Sequence, residues 1–98
     1  MIKNSSFDTK IKDRTPEETI KIITNFFETK KLKLTYYSYY REESLTWFTK
    51  VYLHYKDTII FTSNGKGITE QFSIASGLGE MYERYCNRIL ILGNSFLN

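Results

Sequence analysis

The 98-residue sequence has few of the residues that build disulfide frameworks, zinc sites or membrane spans. Cys86 is the single cysteine and His54 the single histidine, so one chain can form neither an internal disulfide nor a Cys/His zinc site. No apolar run approaches the roughly 20 residues that a transmembrane helix needs, and the first residues lack the apolar stretch of a secretory signal. These absences predict a cytoplasmic protein without a membrane partner.

Proline and glycine are also scarce, at one and five residues, whereas aromatic residues make up 16% of the chain. With 41% hydrophobic and 26% charged residues, the composition is that of a small folded domain rather than a disordered segment. The formal net charge is +3 and the sequence pI is about 9.0. Apart from a cluster at Lys30, Lys31 and Lys33, the basic residues are scattered, so the charge alone does not require a nucleic-acid partner.

A first helix is predicted after a polar, extended arm of residues 1–14. Thr15 is the expected N-cap, Pro16 occupies the first helical position, and Glu18 completes a capping box. Apolar residues then recur at helical spacing as far as about Lys30. They are Ile20, Ile23, Phe26 and Phe27.

Three strands are predicted at residues 32–40, 45–55 and 58–62, because these segments alternate in polarity and are rich in aromatic and β-branched residues. Short polar connections between them favour antiparallel hairpins. In the second strand, alternate residues from Trp47 to Tyr55 are expected on one face. Residues 89–92 are a candidate fourth strand. The sequence therefore predicts an α+β fold, with a small antiparallel sheet carrying two helices on one face.

Residues 63–67 (SNGKG) are predicted as a turn between the third strand and a second helix. Glycines in such a turn permit unusual backbone angles, or its N–H groups hold an anion at the helix N-terminus. Two more glycines, Gly77 and Gly79, lie inside the second helix, where each costs about 1 kcal/mol relative to alanine. They predict close contact with a neighbouring element or with a ligand.

The second helix, predicted over residues 69–87, has one apolar and one polar face. At about 100° per residue, its apolar residues lie opposite a polar stripe roughly 60° wide. The apolar residues are Ile74, Leu78, Met81, Tyr82 and Tyr85, and the stripe is Ser76, Glu80, Glu83 and Asn87. The stripe is either a solvated face or a place where a cation sits between Glu80 and Glu83, since proteins hold Mg²⁺ through one or two carboxylates plus phosphate oxygens.

Residues 61–87, FTSNGKGITEQFSIASGLGEMYERYCN, resemble a segment of the YcaO family. In that family an N-G-K-G turn leads into a helix carrying S-x-x-x-E-x-x-E-R, and the matching positions here are Ser76, Glu80, Glu83 and Arg84. Upstream, residues 12–20 (KDRTPEETI) are similar to the family's opening K-D…(S/T)-I element. That element places Lys12 and Thr19 at matching positions, and the likeness covers about residues 10–93.

The resemblance implies an enzyme that uses Mg-ATP to phosphorylate and activate a backbone amide of a peptide. The products would be azolines at Cys, Ser or Thr, as in thiazole and oxazole biosynthesis, or thioamides or amidines. Lys12, Thr19 and Ser76 would line the nucleotide site, together with Glu80 and Glu83 as Mg²⁺ ligands. Arg84 would orient a carboxylate from behind. The implied partners are a ribosomally made precursor peptide or protein and a second protein that delivers it.

YcaO domains are several times longer, and their later segments supply further glutamates, an arginine and a glutamine to the site. Residues 15–98 are therefore expected to be the N-terminal part of such a domain, inactive alone and prone to self-association through uncovered apolar surface. The alternative is a non-enzymatic module that binds a peptide or single-stranded nucleic acid through the tyrosine-rich strand at residues 36–40.

Overall fold

The computed structural model describes the backbone of residues 14–97 and the side chains of residues 14–88. The described elements are α1 (Pro16–Thr29), β1 (Lys33–Arg41), β2 (Thr46–Tyr55), β3 (Thr58–Gly67) and α2 (Glu70–Leu97). The strands form one antiparallel sheet in the order β1-β2-β3. The predicted α+β architecture is confirmed, while the arm predicted for residues 1–14 falls, except for Arg14, outside the described residues.

Helix α1 begins at the predicted capping box. The Glu18 N–H donates to Thr15 Oγ1 at 3.2 Å, and the Thr15 N–H donates to Glu18 Oε1 at 3.0 Å. Two N–H groups that the first helical turn would leave unpaired are thereby satisfied. The helix then buries Thr19, Ile23 and Phe27, one residue per turn, against the rest of the molecule.

The central strand β2 shows the alternation expected of a sheet with one covered face. Thr49, Val51 and Leu53 are buried, and the residues between them are only partly covered. Tyr55 was predicted on the buried face but is 53% exposed, because it ends the strand at the β2–β3 hairpin. Both helices lie over this face. They enclose a core made of Ile23, Phe27, Val51, Leu53, Ile74, Leu78 and Met81.

The turn predicted at residues 63–67 is wrong, because strand β3 continues through all five residues. Gly65 pairs with Thr49 of β2, and Gly67 pairs with Trp47. No described glycine has a positive φ, so the glycines do not serve a special backbone angle. With its backbone in the ladder, the segment is also not an anion-binding turn. Only residues 68 and 69 connect β3 to α2.

The glycines of β3 and α2 instead allow a close approach between these two elements. A Cβ added to Gly65 would lie 2.1 Å from the Gly77 backbone nitrogen, and one added to Gly77 would lie 2.8 Å from Val51 Cγ2. The close contact predicted for Gly77 is therefore confirmed. For Gly79 it is wrong within the described part of the chain, because nothing lies within 4 Å of an added Cβ there.

Helix α2 begins where the sequence predicted and ends later. Thr69 acts as its N-cap, since its Oγ1 accepts from the Phe72 N–H at 3.1 Å. The helix continues to Leu97, so the fourth strand predicted at residues 89–92 is wrong. A short apolar run suits a strand and a helix equally, and no proline or cap residue separates this run from the helix before it.

Polar contacts also connect the sheet to α2. Thr49 Oγ1 lies 2.8 Å from Ser38 Oγ and 2.6 Å from Ser73 Oγ, so three hydroxyls join β1, β2 and α2. The Ser63 hydroxyl donates to the Gly77 carbonyl at 2.8 Å. Small hydroxyl residues thus satisfy their own polar groups where the backbones approach too closely for larger side chains.

Within the described residues, neither helix combines the length and the apolar character that crossing a bilayer requires.

Candidate functional site

The polar stripe of α2 lies where the helical spacing predicted. Ser76 and Glu83 are exposed and Glu80 is half-buried, whereas Leu78 and Met81 on the opposite side are fully buried. The stripe is positioned by the burial of that apolar face, because packing fixes the rotation of the helix about its axis.

Arg84 pairs with one of the two stripe carboxylates. Its Nη2 donates to Glu80 Oε2 at 2.9 Å, and the two side chains are 52% and 42% exposed. At that exposure an i,i+4 pair adds little stability. The contact places the Arg84 guanidinium against one oxygen of the Glu80 carboxylate. The role that the family resemblance implies for Arg84 stays a prediction. Within residues 14–88, Glu83 makes no ion pair.

A groove of about 430 Å³ brings together residues from both helices. Thr19 of α1 and Ser76 of α2 both line it, and Arg14 and Lys66 supply positive charge. Its remaining lining is mostly apolar and consists of Pro16, Gly67, Ile68, Phe72 and Ala75. Two cations, two hydroxyls and apolar walls suit a ligand with an anionic end and a flat or apolar end.

The Thr19 hydroxyl is unusual because the residue is only 3% exposed. Among the described residues it has no hydrogen-bond partner, although the side chain lines the groove. A buried hydroxyl without a partner costs about 1–3 kcal/mol, so such groups in native structures usually meet a water or a ligand. With no partner among residues 14–88, the Thr19 hydroxyl can donate to or accept from a molecule in the groove.

Two further grooves extend this surface along α2. One of about 300 Å³ is lined by Lys66, Ser76 and Glu80 together with Phe48, Asn64 and Gly65. Another of about 390 Å³ lies beside Glu80 and Glu83, with Phe61, Arg84, Asn87 and Arg88 as its other lining residues. Because neighbouring grooves share lining residues, we call the three together the α2 trough.

The α2 trough contains every predicted site residue that the structure describes. Thr19 and Ser76 lie toward one end, Glu80 lies in the middle and Glu83 lies toward the other end. Lys12 lies outside the described residues. Sequence reasoning missed Lys66 as a site residue, because residues 63–67 were interpreted as a turn. Lys66 becomes a site residue only because β3 runs alongside α2 and lines a groove together with Ser76.

Charge is unevenly distributed along the trough. Arg14 and Lys66 favour phosphate at one end, whereas the groove at the other end combines the carboxylates of Glu80 and Glu83 with the guanidinium groups of Arg84 and Arg88. A phosphate next to the two carboxylates would be repelled unless a cation lay between them. No group of three or more His, Cys, Asp or Glu side chains is assembled within the described residues. Two carboxylates fit Mg²⁺, which keeps several waters and takes further oxygens from phosphate, better than they fit a metal that needs a complete protein cage.

Comparison with known proteins does not assign this chain to a family. No family model matches it, and no significant match was found among curated proteins.

Proposed function

We propose that the α2 trough is the N-terminal part of a Mg-ATP site in a YcaO-type enzyme that activates peptide amides. The observation that carries this proposal is the groove that Thr19, Lys66 and Ser76 line together, with Glu80 in the adjoining groove. These residues come from three separate elements, and the motif resemblance selects three of the four.

The described side chains would contact different parts of a nucleotide. Arg14 and Lys66 balance phosphate charge, and the hydroxyls of Thr19 and Ser76 donate hydrogen bonds to phosphate or ribose oxygens. The Phe72 ring, which is 51% exposed at the wall of the same groove, is available to the base. Thr19 is the residue that gains most, because binding satisfies a buried hydroxyl that has no hydrogen-bond partner among residues 14–88.

Glu80 and Glu83 fit Mg²⁺ as two oxygen ligands, and Arg84 positions Glu80. The ion would neutralise the negative charge that develops on the phosphates during phosphoryl transfer. Activation of a backbone amide oxygen by phosphorylation is the reaction class that the resemblance supports. A precursor peptide or protein would be the substrate, a second protein would deliver it, and the use of ATP favours a cytoplasmic location.

Binding by these 98 residues is expected to be weak. In the family that the chain resembles, later segments provide further ligands, and each absent charge-assisted contact is worth about 1.5–3 kcal/mol. Calorimetry with Mg-ATP should therefore show millimolar affinity at best. Amide chemical shifts are the better measurement, because they localise weak binding to individual residues.

The decisive experiment is a titration of the ¹⁵N-labelled chain with Mg-ATP, followed by NMR. We expect the shift changes to concentrate at Thr19, Lys66, Ser76 and Glu80, and to weaken when Mg²⁺ is omitted. Thr19→Val should reduce them, whereas Thr24→Val, a partly covered threonine of the same helix, should not. The absence of changes at Thr19, Lys66, Ser76 and Glu80, or changes there that are identical without Mg²⁺, would contradict the proposal.

A further inference from the structure

The face of the sheet that the helices leave open carries all the charge of the three strands. The strands contain no aspartate or glutamate, and their four charged residues are Lys33, Arg41, Lys50 and Lys66. Paired residues of antiparallel strands lie on the same face of the sheet. The register pairs Lys33 with His54, Arg41 with Thr46, Lys50 with both Tyr37 and Asn64, and Lys66 with Phe48. In β2 the buried residues Val51 and Leu53 are odd-numbered, whereas Lys50 and the β2 partners of the other three basic residues are even-numbered. All four basic residues therefore lie on the open face.

Four aromatic rings lie among these basic residues. Tyr37 stacks on Tyr52 with ring centroids 6.4 Å apart and planes 23° apart, and Tyr39 stacks on Phe48 at 5.7 Å and 19°. Tyr37 and Tyr39, successive residues on this face of β1, are 6.2 Å apart and inclined by 30°. The planes of these contacting rings are therefore within 30° of parallel, which differs from the edge-to-face packing of the core aromatics.

The outer two rings are accessible to a ligand. Tyr37 is 53% and Tyr39 is 40% exposed. The Arg41 guanidinium lies 5.8 Å from the Tyr39 ring centroid and 5.6 Å from that of Phe48, so a cation already accompanies the aromatic surface. A hydrogen bond with the Tyr52 side chain is the main cause that raises the pKa of Tyr37 above its ordinary value. Tyr37 is thus an uncharged ring at neutral pH.

We propose that this open face binds single-stranded nucleic acid. Successive bases would stack on Tyr37 and Tyr39, while Lys33, Lys50 and Arg41 contact the phosphates on either side. Every base has a flat face that stacks on such rings, and a basic surface that follows the backbone is the usual complement. An acidic peptide would satisfy the charges but would leave the two parallel, exposed rings without a flat partner.

Charge also argues against two other occupants. A second copy of the chain would bring four basic residues against four others, with no carboxylate on either strand face to compensate them. A DNA duplex presents its phosphates outward and keeps its bases stacked internally, so it could use the cations but not the rings. This face meets the α2 trough at the edge of β3, where Lys66 and Phe48 also line trough grooves. The proposed contacts of Tyr37, Tyr39, Lys33, Lys50 and Arg41 use none of the Mg-ATP residues Thr19, Ser76, Glu80 and Glu83.

The test is fluorescence anisotropy of the complete 98-residue chain with a short labelled oligo-dT, a duplex of equal length and a polyglutamate peptide. Oligo-dT should bind most tightly of the three at equal salt. Its affinity should fall between about 50 and 200 mM salt, because phosphate contacts release counterions. Equal or tighter binding of polyglutamate would assign the face to an acidic peptide. Stronger binding of the duplex would show that bases do not stack on the Tyr37 and Tyr39 rings. Either result overturns the proposal.

Matched variants show whether this face is responsible. Tyr37→Ala should weaken oligo-dT binding about tenfold, the effect of losing one stacked base. Tyr55→Ala should leave it unchanged, although Tyr55 is also 53% exposed, because it lies on the other side of the sheet at the end of β2. Lys50→Gln should lower the slope of log affinity against log salt by about 0.7, whereas Lys21→Gln on α1 should not. If Tyr37→Ala and Tyr55→Ala have the same effect, or if Thr19→Val abolishes binding, the assignment of this face is wrong.

Discussion

Gly65 and Gly77 meet at the point where strand β3 passes beneath α2. A Cβ on Gly65 would lie 2.1 Å from the Gly77 nitrogen and 2.3 Å from the Ser73 carbonyl oxygen. Both neighbours are backbone atoms that cannot rotate away, so Gly65→Ala has to separate the strand from the helix. We expect it to lower the free energy of unfolding by about 3 kcal/mol or more, measured by urea denaturation.

Gly79 provides the matched control for this contact. It lies in the same helix, but a Cβ there meets no described atom within 4 Å. Gly79→Ala should therefore raise the free energy of unfolding by about 1 kcal/mol, the difference in helix propensity between the two residues. If Gly79→Ala is as destabilising as Gly65→Ala, then loss of glycine itself, rather than crowding, explains both results.

The buried Thr49 hydroxyl is a second feature at the scale of single residues. It contacts Ser38 and Ser73 at 2.8 and 2.6 Å in a site where Thr49 is 1% exposed. Thr49→Val keeps the shape and removes both contacts, so we expect a loss of about 1–3 kcal/mol in the free energy of unfolding. Thr62→Val, an exposed threonine on the neighbouring strand, should change it little. Equal effects of the two variants would mean that β propensity, and not the hydroxyl network, is responsible.

At the scale of elements, α1 tests whether a local sequence signal is sufficient to start a helix. Glu17 and Glu18 are both acidic residues of the first turn, but only Glu18 accepts from the Thr15 N–H. Glu18→Ala should therefore destabilise the chain by about 0.5–1 kcal/mol more than Glu17→Ala does. Thermal unfolding followed by circular dichroism measures the difference. Identical midpoints would show that both residues act only through their charge near the helix N-terminus.

Helix α2 shows where local signals stop being decisive. Its start and its polar stripe could be predicted, because Thr69 is a strong cap and the stripe depends only on helical geometry. Its end could not, because the apolar residues 89–92 are compatible with both a strand and a helix. The continuity of backbone hydrogen bonding from the preceding turns favours the helix. A hydrophobic run without a cap or a proline before it therefore extends the element that precedes it.

At the scale of the whole molecule, the β2–β3 hairpin and the outer edge of β3 favour self-association. Tyr55, Ile59 and Ile60 are 53%, 50% and 39% exposed, and within the described residues β3 pairs only with β2. An unpaired strand edge beside exposed apolar side chains recruits other chains. Sedimentation velocity should therefore show species larger than a monomer at high micromolar concentration.

A pair of variants locates that association. Ile60→Lys adds a charge to the hairpin and should shift the equilibrium toward monomer. Leu45→Lys, at a 70% exposed leucine in the other hairpin, should leave it unchanged. A wild-type chain that stays monomeric would contradict the prediction that this apolar surface drives self-association. Equal effects of both variants would show that the chains do not associate through β3.

Sequence alone determined the features that depend on neighbours within one or two turns. The capping box of α1, the alternation in β2 and the shared stripe of Ser76, Glu80 and Glu83 follow from fixed helical and strand periods. Tertiary structure decided the rest. The N-G-K-G segment is a strand because Gly65 lets β3 pass within contact of Gly77, a requirement imposed by a helix that follows it in the chain. The same packing of β3 and α1 around α2 brings Thr19, Lys66 and Ser76 into one groove, because the core buries both apolar faces at once.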